Sequence, residues 1–391
     1  MKRRVCVFTG TRAEYGLLRP LMRLITKERK YELQLLVSGM HLSKEFGNTY
    51  KEIEKDGFRI SEKVKMLIKS DSAAGVSHST GLGLIGCGEA LNRLKPDLIF
   101  ILGDRFEALA AATAALFAKI PVAHIGGGEA TYGLFDEAIR HAITKMSLLH
   151  FTSTEEYRQR VIQLGEDPGR VFNVGATGID NIKEMKLLVK LELEGSLDFS
   201  LESRYIVVTF HPVTLEKATS EKQFTELLRA LDSFPDLKII FTYPNADTDG
   251  RPIIRLVNKY VSRNPHKAKA FVSLGQLRYL SALKHAAAVV GNSSSGIIEA
   301  PSLAIPTVNI GDRQKGRIRA RSIINCAPTK TAIIAAMNKA FSPSFSAVCR
   351  KAINPYGNGH ASKQIMRILS GFDWDNFDLK KEFFDMRGVC V

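Results

Sequence analysis

Val289-Val290-Gly291-Asn292-Ser293-Ser294-Ser295-Gly296 is the stretch on which the fold reading turns. An apolar β-branched run stops at a glycine, and amide and hydroxyl side chains then lead into a helix-like segment, Ile297–Ala300. This is a buried strand, a tight turn and a helix start in sequence. The pattern recurs outward in both directions. In the second half Ile206–Phe210, Leu237–Thr242, Ala286–Val290 and Thr307–Ile310 read as strands. In the first half Val5–Phe8, Leu33–Val37, Leu98–Leu102, Val122–Ile125, His150–Thr152 and Val171–Val174 do so. Helical patterns follow at Leu17–Ile25, through the alanines to Ala118, and at Glu137–Met146. Fully apolar strands alternating with helices predict parallel sheets covered on both faces, an α/β class. Two such halves predict two doubly wound domains with a cleft between them. The expected division is 1–178, a Lys/Glu/Leu-rich linker 179–204, and 205–365, with a C-terminal helix 366–391 returning to the first domain.

The 391 residues are 45% hydrophobic and 24% charged, which excludes a disordered or fibrous chain. The longest apolar run, Ala108 to Ala118, falls short of the ~18 residues of a membrane span, and no signal-peptide pattern opens the chain. The expectation is a soluble cytoplasmic protein with no membrane partner. Cys6, Cys87, Cys326, Cys349 and Cys390 are scattered, so neither a disulfide framework nor a metal site is expected. The 55 basic residues exceed the 40 acidic ones, giving a net charge of +15 and pointing to an anionic ligand. Without a basic tail or basic-aromatic blocks, nucleic acid is not expected.

In doubly wound sheets ligands gather at the carboxyl ends of strands, so the residues just after each strand carry the functional information. The turn Gly291–Gly296 offers free N–H groups and hydroxyls suited to a phosphate, or simply an N-cap; composition alone leaves both open. Gly311-Asp-Arg-Gln-Lys-Gly-Arg317 is rich in cations but lacks the end of a P-loop. Gly10-Thr-Arg-Ala-Glu-Tyr-Gly16 has the wrong glycine spacing for a dinucleotide fingerprint, so no NAD or other cofactor is expected. Asp104, Glu129 and Asp136 lie at or after strand ends, where acids can transfer protons. The competing readings are a helix cap for Asp104 and an Asp136–Arg140 ion pair. His211 follows the first strand of the second half.

These segments, together with Gly39-Met-His41-Leu, Asp136-Glu-x-x-Arg-His-x-Ile-Thr-Lys145, His211-Pro-Val-Thr and Pro244-Asn-x-Asp247, resemble the hydrolysing UDP-N-acetylglucosamine 2-epimerases of sialic-acid biosynthesis. The resemblance spans roughly residues 4–369 and implies a GT-B-like arrangement of two Rossmann-like domains, a UDP-sugar substrate and a homodimer. It implies that Ser293 and Ser294, with Ser295 and Gly296 beside them, hold the diphosphate, and that Glu299 holds the ribose. Arg12 and Arg313 fall to the phosphates, Asn245 and Asp247 lie near the nucleotide, His41 lies near the sugar, and Ala13 and Arg105 are further substrate-binding positions. Asp104 and His211 match the positions important for catalysis, with Glu129 and Asp136 as supporting acids. Better-described members carry an acid where this chain has Gly126 and Phe135. The implied reaction is loss of UDP with the C2 proton, then addition of water, giving N-acetylmannosamine. The same chemistry on UDP-N,N′-diacetylbacillosamine is the alternative. A GT-B glycosyltransferase or a UDP-sugar-binding protein without turnover are the more distant ones.

Overall fold

The computed structural model describes residues 2–70, 72–213, 215–216, 219–244 and 250–386. The chain divides into two compact units, one of residues 1–129, 136–181 and 356–391, the other of residues 130–135 and 182–355.

The first unit holds a parallel sheet of β1 (Arg3–Thr9), β2 (Tyr31–Ser38), β3 (Glu62–Val64), β4 (Leu98–Leu102), β5 (Val122–Ile125), β6 (Leu149–Thr152) and β7 (Val171–Asn173). The strand order is β3-β2-β1-β4-β5-β6-β7. Alternation along β1 sends Val5 and Val7 to one face and Cys6 and Phe8 to the other. On the first face they pack with Leu18, Leu21 and Ile25 of helix Arg12–Lys27 and with Ile365 and Leu369 of helix Ala361–Ser370. On the second they meet Ile99, Ile101, Ala108, Ala111 and Leu91. Each fully buried valine, leucine, isoleucine or phenylalanine among them contributes about 1.5–3 kcal/mol. The second unit repeats the plan with β8 (Tyr205–Thr209), β9 (Lys238–Thr242), β10 (Ala268–Phe271), β11 (Ala288–Gly291), β12 (Thr307–Ile310) and β13 (Ile323–Cys326), ordered β10-β9-β8-β11-β12-β13.

The strand order reverses between β1 and β4 in one sheet and between β8 and β11 in the other. These are the switch points outside which ligands bind in open α/β sheets. They put Gly10–Arg12 and Gly103–Arg105 side by side in the first unit, and His211 beside Asn292–Ser295 in the second.

Two boundaries differ from the sequence reading. Residues 179–204 do not form a linker: Leu193 and Leu197 of helix Lys190–Leu197, with Leu201, are buried against Tyr205, Val207 and Leu283. Their leucines complete one face of the second sheet, so the transition falls at residues 181–182. The return to the first unit starts at Tyr356, with helix Ala361–Ser370; of the helix expected over 366–391, the described residues 371–386 are not helical. Asp180, 2% exposed, fixes that helix by accepting the backbone N–H groups of His360, Ala361 and Ser362 at 2.7, 2.9 and 2.7 Å. Beyond it the extended tail is fastened by Lys381, whose ammonium donates to the carbonyl of Ser147 at 2.6 Å and pairs with the buried Glu166.

Candidate functional site

In the first unit the acidic residues are organised by one guanidinium. Arg140, on helix Asp136–Met146, is 1% exposed. Its Nη2 donates to the carboxylate of Asp104, and its Nη1 donates to Glu137 Oε2 and to the carbonyl of Glu129, each at 2.7 Å. Burial opposes its charge, but Asp104, Glu129 and Glu137 outweigh that and raise its pKa further. The N-cap position of helix Phe106–Phe117 belongs to Arg105, while the Asp104 carboxylate goes to Arg140. Glu129 is 7% exposed and accepts from Ser153 Oγ at 3.3 Å. Asp136 opens its helix half-buried, and Arg140 reaches Glu137 one turn back.

His124 on β5 locks this cluster to the neighbouring strand end. Its Nε2 donates to the carbonyl of Gly103 at 2.8 Å, which leaves Nδ1 to accept from Thr144 Oγ1 at 3.2 Å. Burial lowers its pKa to about 4, so it is a neutral spacer. Gly126 follows at φ +89°, where a Cβ would be strained by the backbone though it would meet only the Gly103 nitrogen, at 3.9 Å.

At the end of β1, Thr11 caps helix Arg12–Lys27 in a capping box with Glu14; Arg12 is half-buried and Ala13 exposed. His41 is 0% exposed, with Nε2 3.0 Å from Thr9 Oγ1 and Nδ1 2.8 Å from Thr49 Oγ1. Burial lowers its pKa to about 3. The ring is thus a neutral brace beneath the strand end, with no surface of its own to offer a ligand.

In the second unit Asn292 does what the sequence did not reveal. Its Oδ1 accepts from the backbone N–H of His211 at 2.7 Å, and its Nδ2 donates to the His211 carbonyl at 2.8 Å. The amide therefore fixes the main chain of His211, which is 7% exposed. The Asn292 carbonyl in turn accepts from Gln314 Nε2 at 2.8 Å and Arg313 Nη1 at 3.2 Å. Gly291, at φ +132°, makes the approach possible: a Cβ there would lie 2.0 Å from the carbonyl oxygen of Thr209. Ser293 caps the short helix Ser294–Ile298, accepting from Ser295 N, and Ser293, Ser294 and Ser295 are half-buried. The capping reading is met at Ser293. Gly296 packs on Thr307, and Glu299 is 7% exposed, its pKa raised by burial to about 7 against the smaller effects of Ser295 and Gln276. Asn245 and Asp247 lie outside the described residues.

Among the described residues no group of three His, Cys, Asp or Glu side chains is placed to hold a metal, and no helix is long and apolar enough to cross a membrane. Each unit therefore presents its own chemical set at its switch point: paired acids with arginines in one, a histidine, serine hydroxyls, a buried acid and an arginine in the other.

Comparison with known proteins places the chain in a family. Residues 23–370 match the family described as UDP-N-acetylglucosamine 2-epimerase. A Campylobacter jejuni protein named GDP/UDP-N,N′-diacetylbacillosamine 2-epimerase (hydrolyzing) is 45% identical over 324 residues, 83% of this chain and 84% of its own. An Escherichia coli polysialic acid biosynthesis protein, P7, is 41% identical over 385 residues, 98% of each chain. The solved UDP-GlcNAc 2-epimerase of Neisseria meningitidis bound to UDP-GlcNAc shares the fold, with a TM-score of 0.77 at 19% identity over 95% of this chain and 100% of that one. The two switch-point sites thus sit on a GT-B-like α/β scaffold, and the chain belongs to the UDP-N-acetylglucosamine 2-epimerase family.

Proposed function

We propose that the protein is a hydrolysing 2-epimerase that converts UDP-N-acetylglucosamine to N-acetylmannosamine and UDP. The observation that carries this reading is the Asp104 carboxylate, held at the β4 end by the buried Arg140 with Glu129 and Glu137 on the same guanidinium. In the first step the C1–O bond to UDP breaks and UDP leaves with the electron pair. The C2 proton passes to a carboxylate, and C1 and C2 become doubly bonded. In the second step water oxygen adds to C1 and a proton returns to C2 from the opposite face. Asp104 is assigned to proton transfer, with Glu129 and Asp136 as the neighbouring acids and His211 as the group that manages the water. Ser293, Ser294 and Ser295 serve the diphosphate, Arg12 and Arg313 supply positive charge as the leaving group separates, Arg105 binds the anionic substrate, and Glu299 takes the ribose hydroxyls. His41 serves from beneath as a brace for the β1 end.

The relatives favour a second substrate for the same chemistry, UDP-N,N′-diacetylbacillosamine. Incubating the protein in D2O with each sugar nucleotide, and following UDP and sugar by NMR, separates the two. UDP release with deuterium at C2 of the inverted sugar is the expected result for the true substrate. UDP binding without release from either sugar would overturn the reading.

The Glu299 assignment carries its own prediction. A ribose donates hydrogen bonds, which an ionised carboxylate accepts best, and the free group titrates at about 7. Calorimetric UDP affinity is therefore expected to weaken up to roughly tenfold for each pH unit below 7. Glu299→Gln should weaken binding at pH 8 and remove that component, leaving only the titration of UDP itself. An unchanged Kd in Glu299→Gln at pH 8 would remove Glu299 from the site.

A further inference from the structure

Between the two turns of the first switch point lies a pair of buried carboxylates that the proposed reaction does not use. Glu107, in the first turn of helix Phe106–Phe117, is 0% exposed. It accepts from Arg105 through both oxygens, Nε to Oε2 at 3.1 Å and Nη2 to Oε1 at 3.3 Å. This is the two-pronged geometry that fixes a guanidinium in orientation as well as position. Space for it is made by two glycines on the adjacent strand ends. A Cβ on Gly10 would lie 3.0 Å from Glu107 Cβ, and one on Gly39 would lie 3.1 Å from its Cγ.

Glu14 completes the arrangement from the β1 side. Its Oε2 accepts from the backbone N–H groups of Gly10 at 2.7 Å and Thr11 at 3.2 Å, so it holds the turn that precedes Arg12. Its Oε1 is buried with no hydrogen-bond partner among the described residues. Burial, with Glu107 nearby, pushes its pKa up to about 8 even though Arg105 and the two N–H groups act the other way. Burial and the nearby Glu107 thus favour the protonated form of Glu14, while Glu107 keeps its partnership with Arg105.

We propose that Glu107 is a positioning residue that presents Arg105 to the anionic substrate, with Glu14 tying the Gly10–Arg12 turn against it. Arg105 on one turn and Arg12 on the next are thereby held in fixed relation across the first switch point. Glu107 acts through Arg105 and touches neither substrate nor leaving group. The proposal rests on the reading of Arg105 as a substrate-binding residue, and its test separates the two.

Glu107→Gln, Arg105→Ala and the double variant are compared with the parent by steady-state kinetics on whichever UDP-sugar turns over, with calorimetric binding of UDP measured beside it. Glu107→Gln keeps the shape and loses the charge, and its tryptophan-monitored unfolding checks that the fold survives. The expected result is a rise in KM or in the UDP Kd of roughly tenfold, with kcat within about threefold of the parent. The same ligand constant rises in Arg105→Ala, and Glu107→Gln adds less than about twofold on top of it. If Arg105→Ala weakens the ligand but Glu107→Gln does not, or if their effects simply multiply, the positioning role is wrong while Arg105 keeps its assignment. If Arg105→Ala changes neither constant, the substrate-binding role of Arg105 fails, and the positioning role fails with it.

Discussion

Asp104→Asn is expected to lower turnover by about 10²–10⁴-fold, the usual range for losing a positioned proton-transfer group. UDP affinity should stay within about threefold. The amide is isosteric with the carboxylate, so the β4 end keeps its shape. It has no oxygen basic enough to take the C2 proton, and it presents Arg140 with a neutral partner. Arg140 retains Glu137 and the Glu129 carbonyl, so the helix that carries it stays in place. Nucleotide binding is assigned to Ser293, Ser294, Ser295, Glu299 and Arg313 in the second unit and to Arg12 and Arg105 in the first, none of them replaced in this variant, so it should survive. The measurement is deuterium incorporation at C2 together with UDP release. Turnover within a few-fold of the parent would pass the proton-transfer role to Glu129 or Asp136.

Arg140→Met should cost the first unit about 3–5 kcal/mol, because removing one member of a buried ionic group strands the others. Asp104 and Glu137 would lose their shared cation, and the Glu129 carbonyl would lose its donor. Arg140→Lys should recover only part of the loss, since a single ammonium cannot reproduce a planar fork directed at three acceptors. The chain has one tryptophan, Trp374, which packs on Tyr31 and Phe372 in the first unit. Its fluorescence therefore reads that unit alone. A urea midpoint lower by about 1–2 M is expected. A shift below about 0.3 M would mean that the acids are satisfied without Arg140.

The sequence made the centres of both sheets legible and hid three of their four edges, β7 being the exception. β1, β4, β8 and β11 are covered on both faces, so nearly every side chain must be apolar. The missed strands β3, β10 and β13 each end a sheet. Glu62-Lys63-Val64 and Ala268-Lys269-Ala270-Phe271 carry the charges of an edge, and Ile323–Cys326 is only partly buried. Helix Ala73–Leu94 went unread in the sequence, its five glycines interrupting the helical pattern. Gly86 packs closely on Val64, where a Cβ would lie 2.6 Å from Cγ1, and at Gly83 a Cβ would displace the tip of Met66, 2.6 Å from Cε.

At the site, position after a strand was enough to single out Asp104, Glu129, His211 and the serines. The groups that hold them were harder to see. Arg140 reaches Asp104 across 36 residues and the Glu129 carbonyl across 11, and Asn292 clasps His211 across 81. No periodicity records such pairings. They follow from strand order, which brings distant turns together only once the sheet exists. Glu14 and Glu107 were concealed for the same reason, their helical settings giving no hint of a shared interior.

The return of residues 356–391 to the first unit sets an order of events during synthesis. Ile365 and Leu369 complete the face of β1 and β4, and Asp180 waits for the N–H groups of His360, Ala361 and Ser362. The ribosome must therefore make all of the second unit before the first can close. The half of the protein that emerges first is the last to be finished, leaving its apolar helix-binding face uncovered while the rest of the chain is translated.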